Sequence, residues 1–365
     1  MEIPFLDLNR EISFIRNEIN ESIHKVIDNT NFILGNEVNE FENNFAKYIN
    51  TEYCIGVANG TDALEIAINI LELNKDDEII TQANTYVATC FGVTNNNIKL
   101  KLVDVDKHYQ MDLCELEKKI TSKTKCIIIV HFTGSCCNMD DLMDIVKRHN
   151  LILIEDCAQS HGASYKNKKL GSFGLSTFSF YPGKNLGAFG DGGALCTNDY
   201  SLYNKIMKIR NNGSIEKYRH EIFGRNSRLD TIQAAVLNVK LKYLDENNYK
   251  RRIVSDLYHD KLKGIEEITL PNIVEHCIPV YHLFIIKATK RDELKKYLEE
   301  NKIHTGIHYP IPISQLECYK NYFETNTPFA EENSKSMISL PMYPDLSEIE
   351  INTICKKIIS FYKDV

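Results

Sequence analysis

The stretch that decides the fold reads Leu175-Ser176-Thr177-Phe178-Ser179-Phe180-Tyr181-Pro182-Gly183-Lys184-Asn185-Leu186-Gly187. Its first six residues include Leu175, Phe178 and Phe180 and resemble a buried strand, and Pro182-Gly183 predicts a turn that ends at Lys184. Glycines follow at positions 187, 190, 192 and 193, where a backbone without Cβ can approach a ligand closely. A lysine held and partly desolvated on such a loop can act as an amine nucleophile. The alternative interpretation is a solvated turn lysine.

Strand and helix patterns alternate upstream of this loop. We predict strands at 53–57, 78–80, 99–103, 126–130 and 151–154, and helices at 11–29, 37–48, 63–73, 84–94 and 140–149. Apolar strands alternating with helices indicate an α/β domain with a largely parallel sheet. Ligands of such sheets bind beyond the carboxyl ends of the strands.

The chain downstream predicts a second, smaller domain. Helices are expected at 198–210 and 227–244, the latter capped by Asn226 or Ser227, and a long charged helical stretch covers 240–263. A strand at 280–288 and helices at 291–301 and 347–362 follow. We therefore predict a large α/β domain over 1–245 and a C-terminal α+β domain over 246–365.

Composition excludes several classes of protein. The 365 residues are 43% hydrophobic and 25% charged, as in an ordinary globular protein, with a net charge of −7. No Lys/Arg block suggests nucleic-acid binding, and neither a membrane-spanning stretch nor a secretory signal is found. The eleven cysteines lack paired C-x-x-C spacing, so we expect no metal site and a cytoplasmic protein with reduced core thiols, Cys54, Cys126, Cys157 and Cys196 among them.

Polar residues at the predicted strand ends are candidates for a site. Asn59-Gly60-Thr61-Asp62 opens a helix and could hold an anion, or could be a simple N-cap by Asn59 or Thr61. Asp156 follows a buried strand, where it could pair with a protonated ring nitrogen or cap the next helix. Gln159 lies three residues on. Tyr86 could stack on an aromatic ligand or be a core tyrosine.

These features together supply what pyridoxal phosphate needs: a Schiff-base lysine, an acid for the pyridinium nitrogen, a helix N-terminus for the phosphate and an aromatic cover. The sequence resembles the DegT/DnrJ/StrS family of pyridoxal-phosphate sugar aminotransferases over essentially the whole chain. The resemblance is carried by 4–8, 58–64, 83–85, 103–106, 154–163, 178–193, 226–230, 307–310 and 339–344. It implies a type I aminotransferase fold, with a mostly parallel seven-stranded sheet covered by helices on both faces. It also implies a homodimer with active sites at the subunit interface.

By this resemblance, Lys184 is the catalytic Schiff-base lysine, Asp156 pairs with the pyridine nitrogen and Gln159 bonds the ring hydroxyl. The other implied cofactor contacts are a ring sandwich by Tyr86 and Ala158, and a phosphate site of Gly60, Thr61, Ser179 and, from the neighbouring subunit, Asn226. Tyr181, Arg228, His308 and Tyr309 resemble residues that line the sugar-nucleotide pocket.

The 226–230 and 308–312 motifs resemble the branch of the family that acts at C3. The expected reaction therefore transfers the amino group of L-glutamate to a dTDP-linked 3-keto-6-deoxyhexose, as in the biosynthesis of amino sugars for surface glycans such as O-antigen. Alternatives are a 4-keto-sugar or a UDP-3-keto-sugar as acceptor. Three departures affect the expected pocket: Tyr86 is often Phe, His131-Phe132-Thr133-Gly134 replaces His-Leu-Tyr-Gly, and Ile313-Ser314-Gln315-Leu316 replaces a stretch with His and Gln-Pro.

Two other classes of function are alternatives to a sugar aminotransferase. A nucleotide-binding oxidoreductase is disfavoured, because the glycines at 187–193 do not form G-x-G-x-x-G between a strand and a helix. A non-catalytic regulator that binds pyridoxal phosphate remains open, since fold does not fix function. Lys184 argues against the dehydratases of the family, which carry His at this position.

Overall fold

The computed structural model describes residues 1–323 and 327–363. Its α-helices are α1 (Leu8–Asn29), α2 (Asn36–Ile49), α3 (Gly60–Asn69), α4 (Val87–Thr94), α5 (Leu113–Lys119), α6 (Met139–Arg148), α7 (Tyr200–Ile209), α8 (Thr231–Leu241), α9 (Leu244–Leu262), α10 (Arg291–Glu300), α11 (Pro328–Ser336) and α12 (Glu348–Lys363). Its strands are β1 (Tyr53–Val57), β2 (Glu78–Gln82), β3 (Lys99–Val103), β4 (Thr124–Val130), β5 (Ile152–Asp156), β6 (Ser164–Tyr165), β7 (Lys168–Lys169), β8 (Leu175–Ser179), β9 (Gly193–Thr197), β10 (Ile268–Thr269), β11 (Cys277–Ile278), β12 (Phe284–Ala288) and β13 (Met337–Leu340).

Seven strands form the main sheet, in the order β1-β9-β8-β5-β4-β2-β3. The strands from β8 to β3 run parallel, whereas β9 pairs antiparallel with both of its neighbours. The predicted fold class, an α/β protein with a mostly parallel seven-stranded sheet, is confirmed. The carboxyl ends of β5 and β8 lie side by side at one edge, which brings Asp156 and the lysine loop together.

Both faces of this sheet are buried, because successive side chains of its strands enter different cores. Ile79 packs with α3 and α4 on one face, and Ile80 packs with α6 on the other. Neighbouring Ile127 and Ile128 of β4 divide in the same way. This accounts for the continuous apolar runs of the central strands, since a strand buried on both faces has no polar side.

A second core lies in the C-terminal part of the chain. The three-stranded sheet β10-β12-β13 packs with α9, α10 and α12 around Tyr258, Phe284 and Ile354. Helix α9 also reaches back to the large sheet, because Asn248 Nδ2 donates to His161 O at 2.8 Å. The domain boundary at 245/246 falls at the start of α9 and stays a prediction.

Several predicted elements differ in their bounds or were missed. The helix predicted at 84–94 begins only at Val87, and the helix predicted at 227–244 begins at Thr231. Neither Asn226 nor Ser227 caps it, because the Ser227 hydroxyl instead accepts a hydrogen bond from Ala58 N at 3.1 Å. Strands β9 and β13 were not predicted: β9 starts within the glycine-rich loop, and four residues of β13 give too little periodicity to recognise.

No helix in the described part of the chain has both the length and the apolar character required to cross a membrane. The four cysteines expected in the core are all buried.

Candidate active site

A cavity of about 580 Å³ opens at the carboxyl edge of the main sheet. Eleven of the predicted site residues line it: Gly60, Thr61, Tyr86, Asp156, Ala158, Gln159, Ser179, Tyr181, Lys184, His308 and Tyr309. They come from five separate segments of the chain, so their convergence is a property of the fold. The individual roles assigned to them by resemblance stay predictions.

The amino end of α3 forms one wall of the cavity. Asn59 Oδ1 accepts the Asp62 N–H at 2.8 Å, so Asn59 is the cap of the helix. A Cβ at Gly60 would lie 2.7 Å from Ser179 Cβ, which only glycine avoids at this close approach. A helix terminus with free N–H groups beside a serine hydroxyl suits a phosphate group.

Lys184 lies at the end of a tight turn after β8. Its N–H donates to Tyr181 O at 2.9 Å, and Phe180 N donates to Gly192 O at 2.7 Å, so the loop is tied at both sides. Asn185 Nδ2 anchors the next position through Asn248 Oδ1 and Val280 O, both at 2.9 Å. Desolvation in the cavity lowers the pKa of Lys184 to about 8, although Asp156 opposes this shift. A substantial fraction of neutral amine is therefore present near physiological pH.

Asp156 ends β5 and is 4% exposed. Thr89 Oγ1 donates to its Oδ2 at 2.8 Å, and Ala158 N donates to its Oδ1 at 3.1 Å. Burial raises the pKa of Asp156, while these two hydrogen bonds and the Lys184 ammonium lower it. A buried carboxylate facing a cavity is costly unless a cation joins it. The site therefore has a place for a protonated ring nitrogen.

Gln159 and Tyr309 are oriented together at the side of the cavity. Gln159 Oε1 accepts Thr133 N–H at 2.7 Å, and its Nε2 donates to Tyr309 Oη at 3.3 Å. Tyr86 is 57% exposed, and its ring centroid lies 5.9 Å from that of Tyr309. Tyr86 is thus not a core tyrosine, and its ring is available to a ligand in the cavity.

Three histidines surround the lysine. Burial and the Lys184 charge lower the pKa of His161 to about 3 and that of His308 to about 4, and they also lower the pKa of His282. His308 Nδ1 is hydrogen-bonded to Ser339 Oγ at 2.8 Å, which fixes the imidazole. His161 and His308 are therefore neutral at physiological pH. His282 Nδ1 and His308 Nδ1 are hydrogen-bonded, whereas neither ring nitrogen of His161 has a hydrogen-bond partner among the described residues.

Asn226 and Arg228 do not reach the cavity of a single chain. Asn226 is exposed and pairs with Asn211 in an isolated bridge, and Arg228 Nη1 donates to Asn211 Oδ1 at 3.0 Å. Their expected roles at a phosphate or a sugar nucleotide therefore need a second chain.

A buried cluster next to the site consists of His131, Glu155 and Cys157, whose ligand atoms lie within 4.8 Å of one another. His131 Nε2 lies 3.0 Å from Glu155 Oε2, and Glu155 also accepts the backbone N–H groups of Gly171, Phe173 and Gly174. The Glu155 carboxylate thus ties the 171–174 loop to the strand that carries Asp156.

Sequence reasoning missed Thr89 and His282. Thr89 lies in the first turn of α4, four residues after Thr85, and the two hydroxyls lie 2.9 Å apart. This spacing could have suggested that Thr89 faces the same edge of the sheet as Thr85. His282 follows the predicted start of a strand in the other domain, so no local pattern indicates that it lines the cavity.

The fold and site define a cofactor-dependent enzyme with an amine nucleophile. The DegT/DnrJ/EryC1/StrS aminotransferase family matches residues 13–359. The chain is 42% identical over 98% of its length, and 98% of the relative, to the dTDP-3-amino-3,6-dideoxy-alpha-D-galactopyranose transaminase of Aneurinibacillus thermoaerophilus. It is 39% identical over 94% of its length, and 92% of the relative, to the dTDP-3-amino-3,4,6-trideoxy-alpha-D-glucose transaminase of Streptomyces venezuelae.

Solved structures agree. DesV of S. venezuelae superposes with a TM-score of 0.97 at 37% identity, covering 100% of this chain and 99% of DesV. NtdA of Bacillus subtilis, solved with bound PMP, gives 0.92 at 29% identity over 99% of this chain and 85% of NtdA. The chain belongs to the DegT/DnrJ/EryC1/StrS aminotransferase family. The expected family, enzyme class and cofactor, pyridoxal 5′-phosphate, are confirmed, and the glycine cradle, the buried acid and the desolvated lysine fit that cofactor.

Proposed function

We propose that the protein transfers the amino group of L-glutamate to C3 of a dTDP-linked 3-keto-6-deoxyhexose. The single observation that carries the chemistry is a desolvated Lys184 that shares one cavity with a buried Asp156 and the amino end of α3. The choice of acceptor is supported by the two dTDP-3-amino-sugar transaminases, 42% and 39% identical to this chain.

Pyridoxal phosphate, when bound, supplies an electron sink and carries the amino group between the two substrates. Gly60, Thr61 and Ser179 would hold its phosphate, and Asp156 would keep its ring nitrogen protonated. Tyr86 and Ala158 would cover the two faces of its ring, and Gln159 would bond its hydroxyl.

Lys184 would hold the cofactor through its Nζ, and its amine would move protons at the reacting carbon as a general acid–base. A pKa near 8 suits this task, because both protonation states are accessible near neutral pH. Borohydride reduction followed by peptide mapping should label Lys184, and label on another lysine would contradict this assignment.

The sugar nucleotide is proposed to lie over Tyr181, His308 and Tyr309, with Arg228 completing the pocket. Its two phosphates need hydrogen-bond donors in a protein of net charge −7. Because Asn226 and Arg228 lie outside the cavity of one chain, we propose a homodimer in which each subunit completes the other's site. The eleven unpaired cysteines agree with a cytoplasmic location.

The deciding experiment is a panel of dTDP- and UDP-linked 3-keto and 4-keto sugars, each incubated with L-glutamate and the holoenzyme. We expect a 3-amino product, identified by NMR, from a dTDP-3-keto-6-deoxyhexose. Preference for a UDP sugar would favour the activity suggested by the UDP-N-acetyl-3-dehydro-alpha-D-glucosamine 3-aminotransferase of Acidithiobacillus ferrooxidans, 38% identical over 96% of the chain. Inertness towards every sugar would favour a regulator.

A further inference from the structure

A second cation lines the cavity and has no role in the proposed chemistry so far. Arg251 of α9 is 3% exposed and lies among the cavity residues, on the side of the small domain. Its Nη1 donates to Tyr281 O at 3.2 Å and to Met342 O at 3.0 Å. These carbonyls hold the guanidinium in place but do not neutralise it.

The charge of Arg251 lacks an anionic partner. Within residues 1–323 and 327–363, no carboxylate forms an ion pair with it; the acids whose field it feels are Glu11 and Asp345. Each already has a lysine: Glu11 pairs with Lys240 at 2.9 Å, and Asp345 with Lys250 at 3.5 Å. Burial lowers the pKa of Arg251 to about 10, so it is still charged at neutral pH. A buried charge of this kind is expensive unless something pairs with it.

Arg251 belongs to the same part of the cavity as the reacting amine. Arg251 Nη1 donates to the carbonyl of Tyr281, the residue before His282, and Arg251, His282 and Lys184 all line the cavity. His282 is itself fixed through Asn185 Oδ1 at 3.2 Å, next in sequence to Lys184. Besides the exposed Asp191, the carboxylate that lines the cavity with these two cations is Asp156, which the proposed function commits to the ring nitrogen.

We propose that Arg251 binds a carboxylate of the amino donor. An amino acid that delivers its amine near Lys184 brings a carboxylate into the same space, and a guanidinium binds carboxylates through two parallel hydrogen bonds. The nucleotide diphosphate fits this position less well, because Arg251 is almost fully enclosed and the proposed nucleotide pocket is at the open side, where Tyr181 is exposed. This inference rests on the proposed function for the identity of the donor.

The test measures binding of glutarate, a dicarboxylate that has no amine to transfer, to the holoenzyme by isothermal titration calorimetry. Arg251→Gln keeps donors for the two carbonyls but removes the charge. We expect glutarate affinity to fall about tenfold or more, as for the loss of a charged hydrogen-bonded pair. In steady-state kinetics KM for L-glutamate should rise in parallel, while KM for the keto-sugar changes less than about twofold.

Arg291 provides the matched control. It is 9% exposed, and its Nη1 likewise donates to two carbonyls, Ser334 O at 3.1 Å and Met337 O at 2.7 Å, but it lies outside the cavity. Arg291→Gln should lower the melting temperature without changing glutarate affinity. Equal glutarate affinity in wild type and Arg251→Gln, or a parallel rise of both KM values, would show that Arg251 has only a structural role and would overturn the proposal. If Arg251→Gln does not fold, Arg251→Lys replaces it. The lysine keeps the charge but loses the two parallel hydrogen bonds of the guanidinium, so glutarate affinity equal to wild type would then overturn the proposal.

Failure of this inference and failure of the proposed function give different results. Arg251-dependent glutarate binding in an enzyme that aminates none of the keto-sugars would leave the donor site standing and reject the acceptor. Amination of the sugar with glutarate binding independent of Arg251 would reject only the donor site.

Discussion

The cofactor floor and the sugar rim of the cavity are built in different ways. The cofactor floor comprises Gly60, Thr61, Asp156, Ser179 and Lys184, which follow β1, β5 and β8 or lie at their ends. The sugar rim comprises Tyr181, Arg228, His308 and Tyr309, which lie in connecting segments, and Arg228 does not reach the cavity.

The difference shows which part of the proposed site lies within one chain. Strands of one sheet bring these five floor residues together within one subunit, and only the Asn226 contact to the cofactor phosphate is proposed to come from the partner. The rim depends on loops and, in the proposed homodimer, on a second subunit, which makes it the part where substrate preference can change without loss of the chemistry. The following predictions test this division, from the largest expected effect to the smallest.

Lys184→Ala should reduce turnover about a thousandfold or more, because both the nucleophile and the proton carrier are lost. Cofactor should still bind without a covalent link, since the α3 terminus and Asp156 remain. Turnover and the cofactor content of dialysed protein are the measurements. Lys169→Ala, at a lysine outside the cavity that pairs with Asp245, should keep normal turnover. Retention of turnover by Lys184→Ala would show that Lys184 is not the catalytic lysine.

Asp156→Asn should lower kcat about a hundredfold, because an amide cannot keep a ring nitrogen protonated. Stability should respond differently. Burial raises the pKa of Asp156, so its favourable contribution to stability is present below the unfolded pKa and is lost as the pH rises through the folded pKa. At pH 7 the cofactor-free variant should therefore melt no lower than the cofactor-free wild type. Near-normal turnover would mean that Asp156 only orders the turn at Ala158.

Mixing two inactive variants tests whether the active site crosses the subunit boundary. Asn226→Asp should be inactive, because a carboxylate would repel the cofactor phosphate of the other subunit. After exchange with Lys184→Ala, roughly a quarter of wild-type activity should return, since half of the dimers are mixed and each contains one complete site. Native mass spectrometry checks the exchange. Verified mixed dimers without activity would show that each site is built within one chain.

Thr89→Val should lower kcat about tenfold by removing the 2.8 Å hydrogen bond to Asp156 while preserving shape. Thr94→Val, on the same helix, should leave kcat unchanged. The Thr94 hydroxyl is hydrogen-bonded to Cys90 O and the Tyr319 hydroxyl, not to Asp156. A pH–rate profile distinguishes a positioning role from lost packing, because only the former shifts its acidic limb. Equal kcat in both variants would show that Asp156 needs no support from α4.

The sequence by itself determined most of the sheet and the cofactor floor. The strands Tyr53–Val57 and Lys99–Val103 were predicted with the bounds they have. Tyr53–Val57 is a mostly apolar run, and Lys99–Val103 begins with the alternation of lysine and leucine that is typical of a half-buried strand. The lysine loop and the residues after β1 and β5 were found for a similar reason. Each is a short motif whose chemistry depends on residues close together in sequence, and its position at a strand end follows from the α/β alternation.

Only the tertiary structure decided the rest. Strand β9 is defined by its antiparallel partners β1 and β8, not by a pattern of its own. The hydrogen bond from Thr89 to Asp156 spans 67 residues, and Arg251 meets the cavity from a helix that otherwise packs in a second core. Local propensity and spacing do not predict such long-range contacts, because these contacts form only when whole helices and strands pack against one another.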